Sequence, residues 1–254
     1  MDALVTAGGV PSRDDPLYEY SQGESKALID IAGKPMVQWV LDAISDAKKV
    51  ENVVVVGIDE SSGVTCKKPT SFIPNHGNMI DNIRAGTEEV VNINPDAKYM
   101  LIVSGDIPAI SPEMVDWTVN TCMETQDDMY YSVVEREVME KRFPGSKRTY
   151  TKLKGIHLSG GDMSVVSKDS VLSKQGLWNR LEAARKNPLK SAALVGFDTL
   201  FLILFRLVDL DGAVKNASKR LKLKARAVVS PYAEIAMDVD KPHQLEILRA
   251  DLTK

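Results

Sequence analysis

Three short runs, Ala3–Ala7, Val53–Gly57 and Tyr99–Val103, are almost wholly apolar, and an amphipathic stretch follows each. Strands that lack polar alternation are buried on both faces, as in a parallel sheet covered by helices. Met36, Val37, Val40, Leu41 and Ile44 fall on one face of a helix over Met36–Ala47, and Asn78–Val91 reads as a second helix. Ser111 and Pro112 mark the N-cap and first turn of a third, whose apolar side is Met114, Val115, Val119 and Cys122. Ser71–Ile73 and Met129–Val134 add short strands. The β-α-β-α order over residues 1–134 predicts an α/β fold: a Rossmann-like, mostly parallel sheet with helices on both faces. In such a sheet, ligands bind outside the carboxyl ends of the strands.

The second half is less regular. Arg148–Leu153 and Gly161–Val166 read as strands flanking a turn at Gly155–His157. Helices are expected over Leu177–Lys186, Thr199–Val208, Leu210–Leu221 and Pro242–Ala250, and a late strand over Ala225–Val229. The 254 residues contain no Pro/Ser-rich linker and no internal repeat, so one domain spanning 1–254 is expected. A net charge of −3 supplies no basic field for a nucleic-acid partner. The apolar stretch 192–205 is interrupted by Asp198 and falls short of the ~20 residues of a membrane span, so it reads as a core helix or a homodimer face, with peripheral membrane contact as the alternative. No secretory leader opens the sequence, and Cys66 and Cys122 form no C-x-x-C pair, which points to reduced thiols and a cytoplasmic protein. The three histidines, His76, His157 and His243, make no zinc pattern.

The first strand runs directly into glycines, Val5-Thr6-Ala7-Gly8-Gly9. Glycines leaving a buried strand let the backbone approach a phosphate, and Arg13 and Lys26 lie close enough in sequence to add positive charge. The spacing matches neither the G-x-G-x-x-G dinucleotide fingerprint nor the G-x-x-x-x-G-K-[ST] loop, which disfavours an NAD-dependent oxidoreductase. Tyr99–Val103 leads into Ser104-Gly105-Asp106, placing Asp106 at the carboxyl edge of the sheet. A hard cation such as Mg²⁺ takes carboxylate oxygen and bridges phosphates, the chemistry expected at Asp106. In Met237-Asp238-Val239-Asp240, an extended backbone sends Asp238 and Asp240 to the same side, and either can complete the site. Lys141, Arg142, Lys147, Arg148, Lys152 and Lys154 form a basic stretch that reads as a solvated face or an anion-guiding rim.

Gly8-Gly9, Ser25-Lys26-Ala27-Leu28, Gly33-Lys34-Pro35-Met36, Gly105-Asp106-Ile107-Pro108 and Asp238-Val239-Asp240-Lys241-Pro242 together resemble the MobA-like nucleotidyltransferases. The likeness spans nearly the whole chain and implies a nucleotide-diphospho-sugar transferase fold that uses Mg²⁺. It implies a nucleotide-binding half over 1–134 and an acceptor-binding, sheet-completing half over 135–254. By this resemblance Ala7, Gly8, Gly9, Arg13 and Lys26 fall on the triphosphate loop. His76, Gly77, Asn78 and Asn82 fall on the base-contacting segment, and Gly105 and Asp106 on the metal edge. Lys26, Arg13 and Asp106 carry catalysis, Asp106 and Asp240 hold the metal, and Gly160, Gly161 and Asp162 form a turn on the acceptor side. Several features depart from the family pattern: Arg13 lies further from the double glycine, Ser25 precedes Lys26 where many members have proline, His76-Gly77-Asn78 lacks the glutamine-rich form of uridylyl enzymes, and Asp162 stands where relatives have Asn. The implied reaction is nucleotidyl transfer from an NTP to a phosphorylated small acceptor such as a sugar 1-phosphate or cofactor precursor. A glycosyltransferase using a nucleotide-sugar and a non-enzymatic nucleotide sensor are the alternatives; the former has less use for a lysine on the β- and γ-phosphates.

Overall fold

The computed structural model describes residues 1–174, 176, 178 and 206–253. Its central sheet takes the strand order β10-β7-β9-β6-β1-β4-β5, with β8 paired to β9. Four of these strands, β1 (Asp2–Thr6), β4 (Val53–Val56), β5 (Thr70–Ile73) and β6 (Tyr99–Ser104), run parallel. A separate two-residue ribbon pairs β2 (Asp30–Ile31) with β3 (Lys34–Pro35). Helices cover both faces. On one, the buried sides of α2 (Met36–Asp46) and α4 (Pro112–Cys122) pack on Ala3, Val5, Val53, Val55, Leu101 and Val103. On the other, α3 (Met79–Ile93) and α6 (Lys168–Leu172) cover Leu4, Val54, Val56 and Met100. Three further helices are α1 (Tyr18–Ser21), α5 (Arg136–Arg142) and α7 (Leu210–Leu221), and α8 (Pro242–Leu252) ends the chain. None of the helices among the described residues is long and apolar enough to cross a membrane.

The alternation over 1–134 does not continue as one parallel run. Strand β7 (Met129–Glu135) does not pair with β6, because β9 (Ile156–Ser167) lies between them and antiparallel to both. β10 (Ala225–Ser230) then pairs parallel to β7 at the edge. Only Thr151–Leu153 of the expected strand 148–153 is extended, as β8, and the β8–β9 hairpin turns at Gly155 with φ of 79°. The expected Ser159–Asp162 turn is instead the interior of β9. Between the pairs Tyr131–Ser164 and Val133–Gly160 the register shifts, so Gly161, Asp162 and Met163 stand opposite Ser132 alone. The surplus residues form a bulge, a device that re-aims a side chain without ending the strand. Glycines at its start admit close neighbours: a Cβ on Gly160 would lie 2.2 Å from the Tyr131 hydroxyl, and one on Gly161 3.0 Å from Ile235. Apart from Trp178, which is helical, the helix expected over 177–186 lies outside the described residues, as do the apolar run 192–205 and most of the helix expected over 199–208; the last residues of that helix, 206–208, are not helical.

At the carboxyl edge, β1 and β4 end in direct contact. Gly57 has φ of 103°, and a Cβ there would stand 2.2 Å from Gly8 Cα. Gly63 also has positive φ, 73°, but faces open space. Gly57→Ala is therefore expected to cost about 3 kcal/mol or more through overpacking and backbone strain, against about 1 kcal/mol for Gly63→Ala. Urea unfolding of both variants checks this; equal losses would mean that the Gly8 loop yields freely.

Candidate active site

The parallel register sets Thr6 beside both Val56 and Ser104, so the loops after β1, β4 and β6 leave the sheet at one level. The Gly105 amide donates to the Thr6 carbonyl at 2.9 Å, tying the Asp106 turn to the glycine loop. Ser25 immediately precedes Lys26. Its hydroxyl hydrogen-bonds the Ala7 carbonyl and accepts from the Ala27 amide at 3.2 Å, capping the short 3₁₀ turn Lys26–Leu28. The Lys26 amide donates to the Gly9 carbonyl at 2.8 Å, so the lysine is mounted on the glycine loop itself.

From that mount Lys26 Nζ reaches Asp106 Oδ2 at 2.6 Å and Asp240 Oδ1 at 2.9 Å. Burial disfavours its charge, but Asp106 and Asp240 outweigh this and hold its pKa above the ordinary lysine value. The Val239 amide donates to the Asp106 carbonyl at 3.1 Å, locking the late acidic segment to the end of β6. Asp240 does not cap α8, whose N-cap is Lys241; its amide donates to Gln244 Oε1 at 2.9 Å and its carboxylate faces Lys26. Burial pushes the Asp240 carboxyl up, yet the Lys26 charge prevails and holds it below the usual range. Arg148 closes the opposite side through an ion pair with Asp238.

Asp162, aimed by the β9 bulge, joins this group and stands close to Asp238. Burial, reinforced by Asp238 and Asp106, pushes its carboxyl up to about 8. Burial and the Asp106 charge push Asp238 up to about 7. Asp106, Asp238 and Asp240 each offer an oxygen within 4.8 Å of the others, and the buried Asp106 Oδ1 has no hydrogen-bond partner. An orphaned carboxylate oxygen in an all-oxygen donor set fits a hard divalent cation.

These groups lie where two concavities meet. A cleft of about 490 Å³ is lined by Ala7, Gly8, Gly9, Lys26, Gly77, Asn78, Asn82, Gly105 and Asp106, with Asp162, Asp238 and Asp240 at one end. A second, of about 390 Å³, shares Asp162, Asp238 and Asp240 and continues past Gly160 and Tyr131 to Lys147, Arg148 and Lys241. Three residues expected at the site stand elsewhere. Arg13 is exposed and lines neither concavity. The exposed His76 lines neither, while its amide donates to Asn82 Oδ1 at 2.7 Å. Gly161 is buried, and its Cβ direction meets Ile235 and Ser132. Of the other residues weighed from sequence, Lys34 pairs with Asp42, His157 lines a separate hollow with Arg136 and Arg206, and the half-buried His243 contacts the Ser146 carbonyl.

Sequence reasoning missed Asn75, whose amide donates to the Gly8 carbonyl at 2.7 Å while its oxygen accepts from Gly77 at 2.9 Å and from Asn82 at 3.1 Å. It ties the segment after β5 to the glycine loop; Asn75 and Asn78 on either side of His76-Gly77 were the available signal. Arg148 lay inside the basic stretch with nothing to single it out.

Because Asp162 and Asp238 are held above their unfolded carboxyl values, the native state binds more protons than the unfolded chain between about pH 4 and pH 8. Their contribution therefore turns less favourable as pH rises through that window. In EDTA, Asp162→Asn is expected to raise Tm by about 2–4 °C near pH 8 and by less near pH 5. A gain independent of pH in thermal melts would remove the carboxyl group as its cause.

A probable molybdenum cofactor guanylyltransferase of Thermococcus sibiricus is 29% identical over 126 residues, covering 49% of this chain and 57% of that protein. The mitochondrial 3-deoxy-manno-octulosonate cytidylyltransferase of Arabidopsis thaliana is 30% identical over 131 residues, covering 50% and 43%. The chain thus spans about half the length of these curated relatives. A hypothetical transferase structure from Thermus thermophilus superposes with a TM-score of 0.83 at 31% identity, over 96% of this chain and all of that one (100%). The MobA-like NTP transferase domain matches residues 3–193, and the chain belongs to that family.

Proposed function

We propose that this protein is a cytoplasmic enzyme that transfers a nucleotidyl group from an NTP to a phosphorylated small acceptor and releases pyrophosphate. The observation that carries the reading is Lys26: mounted on the glycine loop, it spans to Asp106 and Asp240, so phosphate-binding and metal-binding groups share one point. The triphosphate lies along Gly8, Gly9 and Lys26, and the base toward Gly77, Asn78 and Asn82. The acceptor takes the neighbouring concavity, where Lys147, Arg148 and Lys241 supply positive charge for a phosphorylated molecule.

An acceptor phosphate oxygen attacks the α-phosphorus in line. The bond from that phosphorus to the α,β-bridging oxygen breaks, and its electron pair leaves with pyrophosphate. The attacking oxygen is already anionic and needs no side-chain base, so the protein's work is positioning and charge neutralisation. Lys26 neutralises the departing pyrophosphate, while Arg148 holds Asp238 in place between the two concavities. Asp106, Asp238 and Asp240 are the residues that would hold a divalent cation, in our reading Mg²⁺, which when bound neutralises triphosphate charge. Asp162 borders both concavities and separates the acceptor from the nucleotide.

A pyrophosphate-release screen crossing the common NTPs with sugar 1-phosphates, phospholactate and pterin acceptors tests the reading. GTP and CTP come first, because the relatives are named guanylyl- and cytidylyltransferases. NTP binding without pyrophosphate release from any pair would favour a nucleotide sensor. In the active pair, Lys26→Ala is expected to lower kcat by ~10²–10³-fold, the loss typical of one preorganised charge-stabilising donor. The accompanying change in NTP KM should be smaller; unchanged kcat with a raised KM would assign Lys26 to ground-state binding alone. Asp106→Asn is expected to reduce turnover at limiting Mg²⁺ by at least ~10-fold, and undiminished turnover would remove Asp106 from the metal site.

A further inference from the structure

The Lys26 ammonium stands where a cation shared by Asp106 and Asp240 would have to bind. It lies 2.6 Å from Asp106 Oδ2, 2.9 Å from Asp240 Oδ1 and 3.4 Å from the Val239 carbonyl. Divalent ions take carboxylate oxygens at about 2.0–2.6 Å, so an ion on the same two oxygens and this ammonium exclude or strongly repel each other. The lysine is also the charge that makes the site tolerable when empty. Asp106, Asp162, Asp238 and Asp240 converge, and among the described residues the cations paired with them are Lys26 and Arg148.

We infer that Lys26 is a resident counter-ion that bars the carboxylate site to a free divalent cation and yields it when a triphosphate enters. The inference rests on the proposed nucleotidyl-transfer reading and adds to it the order of binding: nucleotide and cation enter together. The stem of Lys26 makes the exchange local. Its Cγ and Cε run 3.8 and 3.7 Å from where a Gly9 Cβ would be, so the side chain lies along the loop assigned to the phosphates. Rotation about its terminal torsions carries the ammonium from carboxylate to phosphate oxygen while the backbone stays pinned to the Gly9 carbonyl at 2.8 Å. Asp106 and Asp240 are then released toward the incoming cation. Because the coupling is reciprocal, a triphosphate that removes Lys26 from the carboxylates must strengthen cation binding there.

The test is Mn²⁺ binding to nucleotide-free protein, followed by electron paramagnetic resonance. Lys26→Met keeps the four-atom stem of the side chain and removes the charged terminal nitrogen. It is expected to bind Mn²⁺ at least about 10-fold more tightly than the wild type, the lower end of the changes that supporting residues make to metal affinity. Lys26→Arg should remain as weak as the wild type, and adding Asp106→Asn to Lys26→Met should abolish the gain. Thermal melts give an independent reading: Mn²⁺ should raise the Tm of Lys26→Met more than that of the wild type, by linkage to the native state. Equal Mn²⁺ affinity in wild type and Lys26→Met overturns the inference and leaves nucleotidyl transfer standing. Absence of Mn²⁺ binding in every variant, with the thermal shift also absent, overturns the inference through the cation site on which it depends. Pyrophosphate release in the acceptor screen tests nucleotidyl transfer separately from both results.

Discussion

One ammonium group gathers the site. Lys26 reaches Asp106 and Asp240, and the backbone bond from Val239 to Asp106 holds the late acidic segment where the lysine finds it. Without a central positive charge, carboxylates this close would repel one another in surroundings that also penalise each charge for losing water. The sheet beneath does the prior work of making the strand ends level, since the parallel pairings of β1 with β4 and β6 fix where each loop departs. The cluster is thus an electrostatic arrangement on a hydrogen-bonded platform, and both are required for the glycine loop to face the carboxylate edge.

The antiparallel strand β9 gives the platform its second concavity. It separates β6 from β7, and its bulge turns Asp162 toward the carboxylates instead of leaving it to alternate along the strand. The same irregularity needs residues without side chains, because the Tyr131 hydroxyl and Ile235 occupy the space above Gly160 and Gly161. A strand that lies between two parallel units therefore connects the cleft on the glycine-loop side with the hollow beside Arg148. Asp162 and Asp238 form the boundary between them, and their raised pKa values express how crowded that boundary is.

Much of the first half was legible because its signals are local. Val53–Val56 has no polar face to expose, so burial on both sides follows, and the periodicity of Met36–Ile44 leaves one side for a sheet. The glycine pair, Lys26, Asp106 and Asp240 were legible as a family pattern in order and spacing, and the cleft collects all of them. Arg13 and His76 were drawn from the same pattern but stand outside the cleft. In this chain the loop after Gly9 is longer, and Asn82 holds the His76 backbone and not its ring. Asn75 was hinted at only by its place beside His76-Gly77, because its bonds to Gly8, Gly77 and Asn82 form only when the loops meet.

Local residue patterns suffice for the buried parallel strands, the helices that cover them and the residue types gathered at their carboxyl ends. Those properties arise from apolar periodicity and from residue identity, which the chain carries before it folds. Tertiary structure decided the placement of β9 between β6 and β7, the bulge that aims Asp162, the partnership of Arg148 with Asp238 and the seating of Lys26 among the carboxylates. Antiparallel insertion is a matter of which strand edges pair, and edge pairing leaves little trace in the periodicity of either strand. The ion pairs join residues at least 80 positions apart, so no local rule ties them together. Their strength comes from burial and mutual distance, which exist only once the chain has folded.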